Sequence, residues 1–392
     1  MYLITNGSIV TEDAVLEGMD LLVEGDSIAE IAPCGRLPSG RATAIDACGG
    51  FVMPGLVDIH ADYIERMAAP RPTSIMDFDL SLREAERELV THGITTMFHS
   101  LAFFDHSVFE SNAIRNPANA RRFVDVIHRA HSSRHLIRHR LHARFEIDNL
   151  ARVEELGGYI RDGKVHLVSF MDHTPGQGQY RNLETYRGTV KGYRDVTDEE
   201  IDRSIAEQRN RAKLDDDAIR AIADLALENG IAVSSHDDDT PEKLAFVRGI
   251  GATISEFPVT LEAAREARRL GLRTAVGAPN VLLGGSHSGN LSALEAALDG
   301  SADILCSDYY PAALLHAVFR LAEKEGIGLA AATRLASLAP AQAVGLGEEL
   351  GSIRPGKKAD LLIVERIDAG FPAVTTAIVG GRRVFDCEYR TA

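Results

Sequence analysis

Residues 56–62 read Leu-Val-Asp-Ile-His-Ala-Asp, and the alternation in this stretch decides the fold. On a strand, side chains two apart share a face, so Val57, Ile59 and Ala61 form an apolar face and Asp58, His60 and Asp62 a polar one. Working outward, further apolar runs end near Ser100, Glu146, His173, His236, Pro258, Pro279 and Asp308, and helical stretches alternate with them. Start signals mark several of those helices. Thr240-Pro241-Glu242 pairs an N-cap with a proline at the first helical position. Thr197 to Glu200 has the spacing of a capping box, and 290–298 opens as a plain helix. Eight strand–helix units over about 300 residues predict an α/β protein built on a (β/α)8 barrel, whose sites gather at the C-terminal ends of the strands. A doubly wound sheet is the rival, but no GxGxxG follows the first strand. In a barrel the outer face packs on helices and must be apolar, so the Asp58, His60, Asp62 face is expected to point inward.

The two ends of the chain read differently. Residues 1–50 hold short β elements separated by Asn6-Gly7 and Gly25-Asp26 turns, and residues 359–364, 377–379 and 383–385 repeat that texture. Neither end is large enough to close a core alone. One small β-sandwich domain from 1–50 plus 350–392 is therefore expected, beside a barrel over 51–349.

The chain has 392 residues, 45% of them hydrophobic, with 42 Lys+Arg against 57 Asp+Glu and a net charge of −15. This composition excludes disorder, collagen and a disulfide miniprotein. It also disfavours nucleic-acid binding, which needs cations to neutralise phosphates. Cys34, Cys48, Cys306 and Cys387 form no CxxC pair, so free thiols in a reducing compartment are expected. The N-terminus lacks the basic and apolar regions of a signal peptide. The apolar stretch 327–346 is interrupted by Arg334 and Pro340 and cannot span a bilayer. A soluble, cytoplasmic protein is the expectation, with room for a homo-oligomer.

Polar residues recur at the strand ends. His60 and Asp62 close the first strand. Arg140, His142, Arg144 and Glu146 share the inward face of the third, opposite Leu141, Ala143 and Phe145. Asp172-His173, His236-Asp237 and Ser307-Asp308 close three more. Imidazole and carboxylate are the ligands a catalytic divalent cation takes, and inward polar groups need such a partner. Parity does not choose between Asp172 and His173. The loop Gly284, Gly285, Ser286, His287, Ser288 is expected to bind an anion at the N-terminus of the following helix, with Arg71, Gln177 and Arg181 as further phosphate contacts. Residues 174–213 read as a mobile flap over the mouth. The basic, histidine-rich run from His128 to Arg144 reads as a surface face in its first half and enters the third strand in its second.

Phe51 to His60, with Gly351-Ser352-Ile353-Arg354-Pro355-Gly356-Lys357-Lys358-Ala359-Asp360-Leu361, resembles the amidohydrolase superfamily over the whole chain. More narrowly, His60-Ala61-Asp62, Pro70-Arg71-Pro72, the run Asp172 to Gln177, Ser235 to Asp238, Ala278-Pro279-Asn280, Gly284 to Asn290 and Ser307 to Pro311 resemble the α-D-ribose 1-methylphosphonate 5-triphosphate diphosphatases of phosphonate metabolism. That resemblance implies a cytoplasmic hydrolase in which water attacks the α-phosphorus of a ribose 5-triphosphate and pyrophosphate leaves. It implies one or two divalent ions, zinc first and manganese or iron next, near His60, Asp62, His236 and Asp308, with Glu146 as a bridging carboxylate and His173 beside them. Asp308 then accepts the water's proton. HxD replaces the HxH of most of the superfamily, and no lysine ends the fourth strand. Tyr63 and Leu283 favour the alternative, a deaminase or amide or lactone hydrolase acting on a less charged molecule. A third reading, a non-catalytic scaffold, predicts eroded ligands.

Overall fold

Strands β1 (Tyr2–Val10), β2 (Val15–Glu24), β3 (Ser27–Pro33), β4 (Thr43–Asp46) and β5 (Phe51–Pro54) precede the barrel strands. The barrel is formed by β6 (Leu56–Ala61), β7 (Ile94–Phe103), β8 (Arg138–Glu146), β9 (Leu167–Met171), β10 (Ala232–His236), β11 (Ile254–Glu256), β12 (Arg273–Gly277) and β13 (Ile304–Cys306). The chain ends with β14 (Leu361–Ile367), β15 (Phe371–Val379) and β16 (Arg382–Asp386). The computed structural model describes all residues except 39, 72, 104–112, 194, 287–288, 369 and 391–392. Among the described residues no helix is long and apolar enough to cross a membrane.

One sheet runs β16-β15-β14-β5-β1-β2-β3, with β4 paired to β1, and so joins both chain ends. Its own core packs Ile4, Ile9, Leu21, Val23, Ile28, Val52, Leu361, Ile363 and Ile378. The sheet takes in Phe51–Pro54, four residues past the border read from the sequence, because β5 pairs with β14 and β1 rather than with a barrel strand. Gly55 is the hinge between the two sheets: a Cβ there would overlap Thr95.

The second sheet runs β13-β12-β11-β10-β9-β8-β7-β6, and its pairings are all parallel. It closes to a barrel at the seam between β13 and β6. There the Asp62 amide donates to the Asp308 carbonyl at 3.1 Å and the Asp308 amide donates to the His60 carbonyl at 3.0 Å. The Asp58 carboxylate, fully buried, adds a clasp by accepting from the Ser307 amide at 3.2 Å and the His60 amide at 3.3 Å. Burial pushes the Asp58 carboxyl up to about 6, against the pull of these donors.

Leu141, Ala143, Phe145, Val168, Phe170, Val233, Val276 and Leu305 pack with the surrounding helices, each large side chain contributing ~1.5–3 kcal/mol by burial. Val57 and Ile59 instead join Phe98, Leu167, Ile254, Ala275 and Ile304 in a separate cluster. These residues come from strands around the whole barrel, β9 among them, and meet in its interior together with Ala339, Ala341 and Leu350. The expected outward face of the first strand is therefore corrected. The register of β6 on β7 shifts between Leu56 and Val57 and again between Asp58 and Ala61, which breaks strict alternation.

Residues 174–213 are a helical insertion rather than a bare loop. Leu183–Tyr193 and Asp198–Arg209 are helices, and Tyr186, Val190, Ile201 and Ile205 give them an apolar core of their own. The capping box at Thr197 and Glu200 is present.

Candidate metal centre

His60 lies at the end of β6 and His236 at the end of β10, while Glu256 ends β11. Their ligand-type atoms all fall within 4.8 Å of one another, and all three residues are buried. His60 Nδ1 is 3.3 Å from Glu256 Oε2. Phe257 walls the group on one side, its ring 4.9 Å from that of His60 and 5.2 Å from that of His236.

The donor chemistry fits a divalent cation. Both oxygens of the Glu256 carboxylate are buried with no hydrogen-bond donor, and so is Asp58 Oδ2. A buried carboxylate without donors or a counter-ion carries a penalty of several kcal/mol, which a cation removes. The imidazole beside it is held neutral, with its lone pair available. Burial, and then the Arg144 charge, lower the His60 pKa well below its ordinary value. His142 is also neutral, pushed down to about 3 by burial, but its nitrogens are already engaged. Nδ1 lies 3.1 Å from the Ile59 carbonyl, which can only accept, so Nδ1 carries the proton and Nε2 accepts from the Ser169 hydroxyl at 2.9 Å. His142 therefore orients the site without offering a ligand atom.

A second group adjoins the first through His236: His173, His236 and Asp237 also bring ligand-type atoms within 4.8 Å. His236 Nδ1 is 2.7 Å from Asp237 Oδ2, and His173 Nε2 is 3.8 Å from that oxygen. On its other side the His173 ring bonds Glu146. Burial opposes the His173 charge, but Glu146 and Asp237 outweigh it and hold the pKa above its ordinary value. For Asp237, burial is likewise outweighed by His236, His173 and Lys243, which bring it down to about 2. At the end of the fourth barrel strand it is His173 that faces the centre. Asp172 is turned aside, with Oδ2 accepting from Lys213 Nζ at 2.7 Å and Oδ1 from the Thr174 hydroxyl at 2.6 Å.

Asp308 follows β13 and Asp62 follows β6, and neither belongs to the two groups of ligand atoms. The Asp62 carboxylate leans toward Arg115, at 3.9 Å. Burial, and then Asp62, push the Asp308 carboxyl up to about 7. Asp237, Phe257 and Asp308 have φ of 55°, 53° and 58°. Left-handed backbone at non-glycine residues costs of order 1 kcal/mol or more each and gathers at functional sites. Here it follows three of the strand ends at one mouth.

The residues expected to bind phosphate are more dispersed. Arg71 and Arg181 are exposed, and Gln177 is half-buried, beside the Asp172 carboxylate. Gly284, Gly285 and Ser286 do not open a helix. Gly284, at φ 83°, caps the C-terminal end of the helix Ala278–Leu283, where carbonyls and not N–H groups are exposed, and the next helix starts at Ala293 with Ser292 as its cap. The expected anion site on that helix N-terminus is thus corrected. The loop does touch the insertion, since the Asn290 amide donates to the Gln179 carbonyl at 3.4 Å. His287 and Ser288 lie outside the described residues. Within the basic run, His128, His131 and His135 are exposed, whereas His139 and His142 are buried. His139 lies 2.9 Å from His99 and 3.1 Å from Glu86.

Sequence reasoning missed Glu256 and left Asp237 out of the ligand set. The signal for Glu256 was available, because the run Ile254-Ser255-Glu256 puts an acid at the end of the sixth barrel strand. The apolar run was instead read on to Pro258.

Comparison with known proteins follows the same outline. The chain is 34% identical over 374 residues, 93% of its length and 96% of the other's, to an Escherichia coli alpha-D-ribose 1-methylphosphonate 5-triphosphate diphosphatase. A dihydroorotase of Bacillus licheniformis is 47% identical, but over only 64 residues, 16% of this chain and 14% of that protein. Among solved structures, an N-acetylglucosamine-6-phosphate deacetylase from Pasteurella multocida matches with a TM-score of 0.62 at 15% identity, covering 97% of this chain and 99% of that one. A dihydropyrimidinase from Brevibacillus agri matches with a TM-score of 0.63 at 14% identity, covering 98% and 95%. Identities this low establish a shared fold alone. The amidohydrolase family pattern matches residues 51–384, and with a relative aligned along nearly its full length the chain belongs to the amidohydrolase family of metal-dependent hydrolases.

Proposed function

We propose that this protein hydrolyses the α,β-phosphoanhydride of a ribose 5-triphosphate bearing a 1-phosphonate and releases pyrophosphate, as a step in phosphonate metabolism. The observation that carries this reading is the 34% identity sustained over 374 residues with the Escherichia coli diphosphatase. His60, His236 and Glu256 would hold a divalent ion, with His173 and Asp237 as ligands of the adjoining position and Glu146 holding His173. An imidazole and carboxylate set suits zinc, manganese or iron. When bound, such an ion acts as a Lewis acid that offsets phosphoryl charge and makes water more acidic.

The protein's own groups supply the rest. Asp308, its carboxyl near 7 in the metal-free protein, is matched to neutral pH as a general base and takes the proton of the attacking water. Asp62, hydrogen-bonded through its backbone to Asp308, holds that carboxylate at the rim. His142 fixes the floor beneath His60.

The features that favoured a less charged substrate turn away from the centre. The Tyr63 hydroxyl bonds Glu88 on the neighbouring helix, and Leu283 is 70% exposed. The test is a substrate panel: pyrophosphate release from ribose 5-triphosphates, with and without a 1-phosphonate, against hydrolysis of N-acyl compounds, cyclic amides and lactones. Pyrophosphate release from the phosphonate-bearing compound is expected. Turnover confined to amides or lactones overturns the reading.

A further inference from the structure

Arg144 lies on the inward face of β8, between His142 and Glu146. One of its terminal nitrogens is 3.4 Å from His236 Nε2, and its Nε is buried without a partner. Its charge reaches His60, His142, His173 and Asp308 and opposes protonation at each. The guanidinium is therefore central to the mouth.

Its neighbours are compensated and, among the described residues, it is not. Around the same rim, Arg115 pairs with Glu65 at 2.8 Å, Arg211 with Asp148 at 3.3 Å, Lys213 with Asp172 at 2.7 Å and Lys243 with Asp238 at 3.4 Å. Among the described residues no carboxylate lies within 4.0 Å of Arg144. The residue is half-buried, and with only an imidazole nitrogen in reach most of its guanidinium donors are left unused by the described protein groups. The centre thus holds a buried carboxylate, Glu256, that calls for a cation, and a half-buried guanidinium that, among the described residues, has no carboxylate partner and suits an anion. The chain as a whole carries −15, so an anionic substrate needs a local cation to enter.

Resting on the phosphoanhydride reading, we propose that Arg144 is the substrate-binding residue that grips a phosphoryl group, its planar fork meeting two phosphate oxygens. That geometry is the one guanidinium donors satisfy and a single ammonium does not. Arg144 takes over the part expected of Arg71 and the glycine loop, and it selects phosphorylated over neutral substrates.

The test uses metal-loaded full-length protein and inorganic pyrophosphate as the probe, with calorimetric titration of the wild type, Arg144→Gln and Arg144→Lys, and metal content measured on each. Metal content is expected to stay equal in all three. Pyrophosphate affinity should fall at least tenfold in Arg144→Gln and recover in part in Arg144→Lys. An affinity within twofold of wild type in Arg144→Gln overturns the proposal. So does loss of metal from both variants, which makes Arg144 a support for His236 instead. The two readings fail separately. If Arg144 governs pyrophosphate binding but no triphosphate is cleaved, only the proposed reaction falls. If Arg144→Gln cleaves the triphosphate with wild-type kcat/KM, only the role of Arg144 falls.

Discussion

Asp308 and Glu256 do opposite jobs with the same functional group. Asp308 stands outside both ligand groups and its carboxyl is raised to about 7, whereas Glu256 is a fully buried acid with both oxygens lacking a donor. Asp308→Asn is expected to lower kcat at least ~10²-fold, the usual worth of a general base, while metal content by elemental analysis stays at the wild-type level. An active variant removes Asp308 from the proton-accepting role. Glu256→Gln is expected to abolish tight metal binding and yet leave the metal-free protein at least as stable as wild type, because it deletes a buried uncompensated charge. Thermal unfolding with and without metal reads both effects. A metal-free variant that melts well below metal-free wild type would mean that Glu256 has an unrecognised partner.

Among the elements, the insertion of residues 174–213 meets the barrel through polar contacts. The Gly178 amide donates to Asp239 Oδ2 at 2.8 Å, Arg211 pairs with Asp148 at 3.3 Å and Lys213 with Asp172 at 2.7 Å. Its cohesion comes from its own cluster, in which Tyr186 is fully buried. Tyr186→Ala should cost ~3–5 kcal/mol of that local packing but little of the barrel's. Hydrogen exchange is expected to speed up in the helices Leu183–Tyr193 and Asp198–Arg209 and to stay unchanged in the barrel strands. Uniform loss of protection would show that the insertion folds as one unit with the barrel.

At the scale of the whole molecule, buried neutral histidines set the acid limit. Burial pushes His166 down to about 3, helped by Arg140. Burial, and then His139, lower His99 well below its ordinary value. Each binds fewer protons folded than unfolded. Their contribution to stability is therefore full above the unfolded value near 6.5 and is lost as pH falls below it toward the folded values. Metal-free protein should lose stability steadily from about pH 6.5 to about pH 4, and His166→Gln should flatten that slope in denaturant titrations. An unchanged slope removes His166 from the account. Chelating the metal is expected to lower Tm, with recovery on adding the ion back, as for any ligand bound only by the native state.

The sequence by itself determined the eight strand–helix units, the sheet shared by the two chain ends, and the strand ends bearing His60, Glu146, His173, His236 and Asp308. Those features follow from local periodicity, capping and the need of inward polar groups for partners, all of which act over a few residues. Only the tertiary structure decided which of these side chains meet. Barrel closure at the β6–β13 seam joins Asp62 to Asp308 through the backbone, the register shifts in β6 turn Val57 and Ile59 inward, and Lys213 draws Asp172 aside so that His173 takes its place. The isolation of Glu256 and Arg144 belongs to the same level. Whether a buried charge has a partner depends on groups from distant strands, and no spacing within one strand encodes their separation.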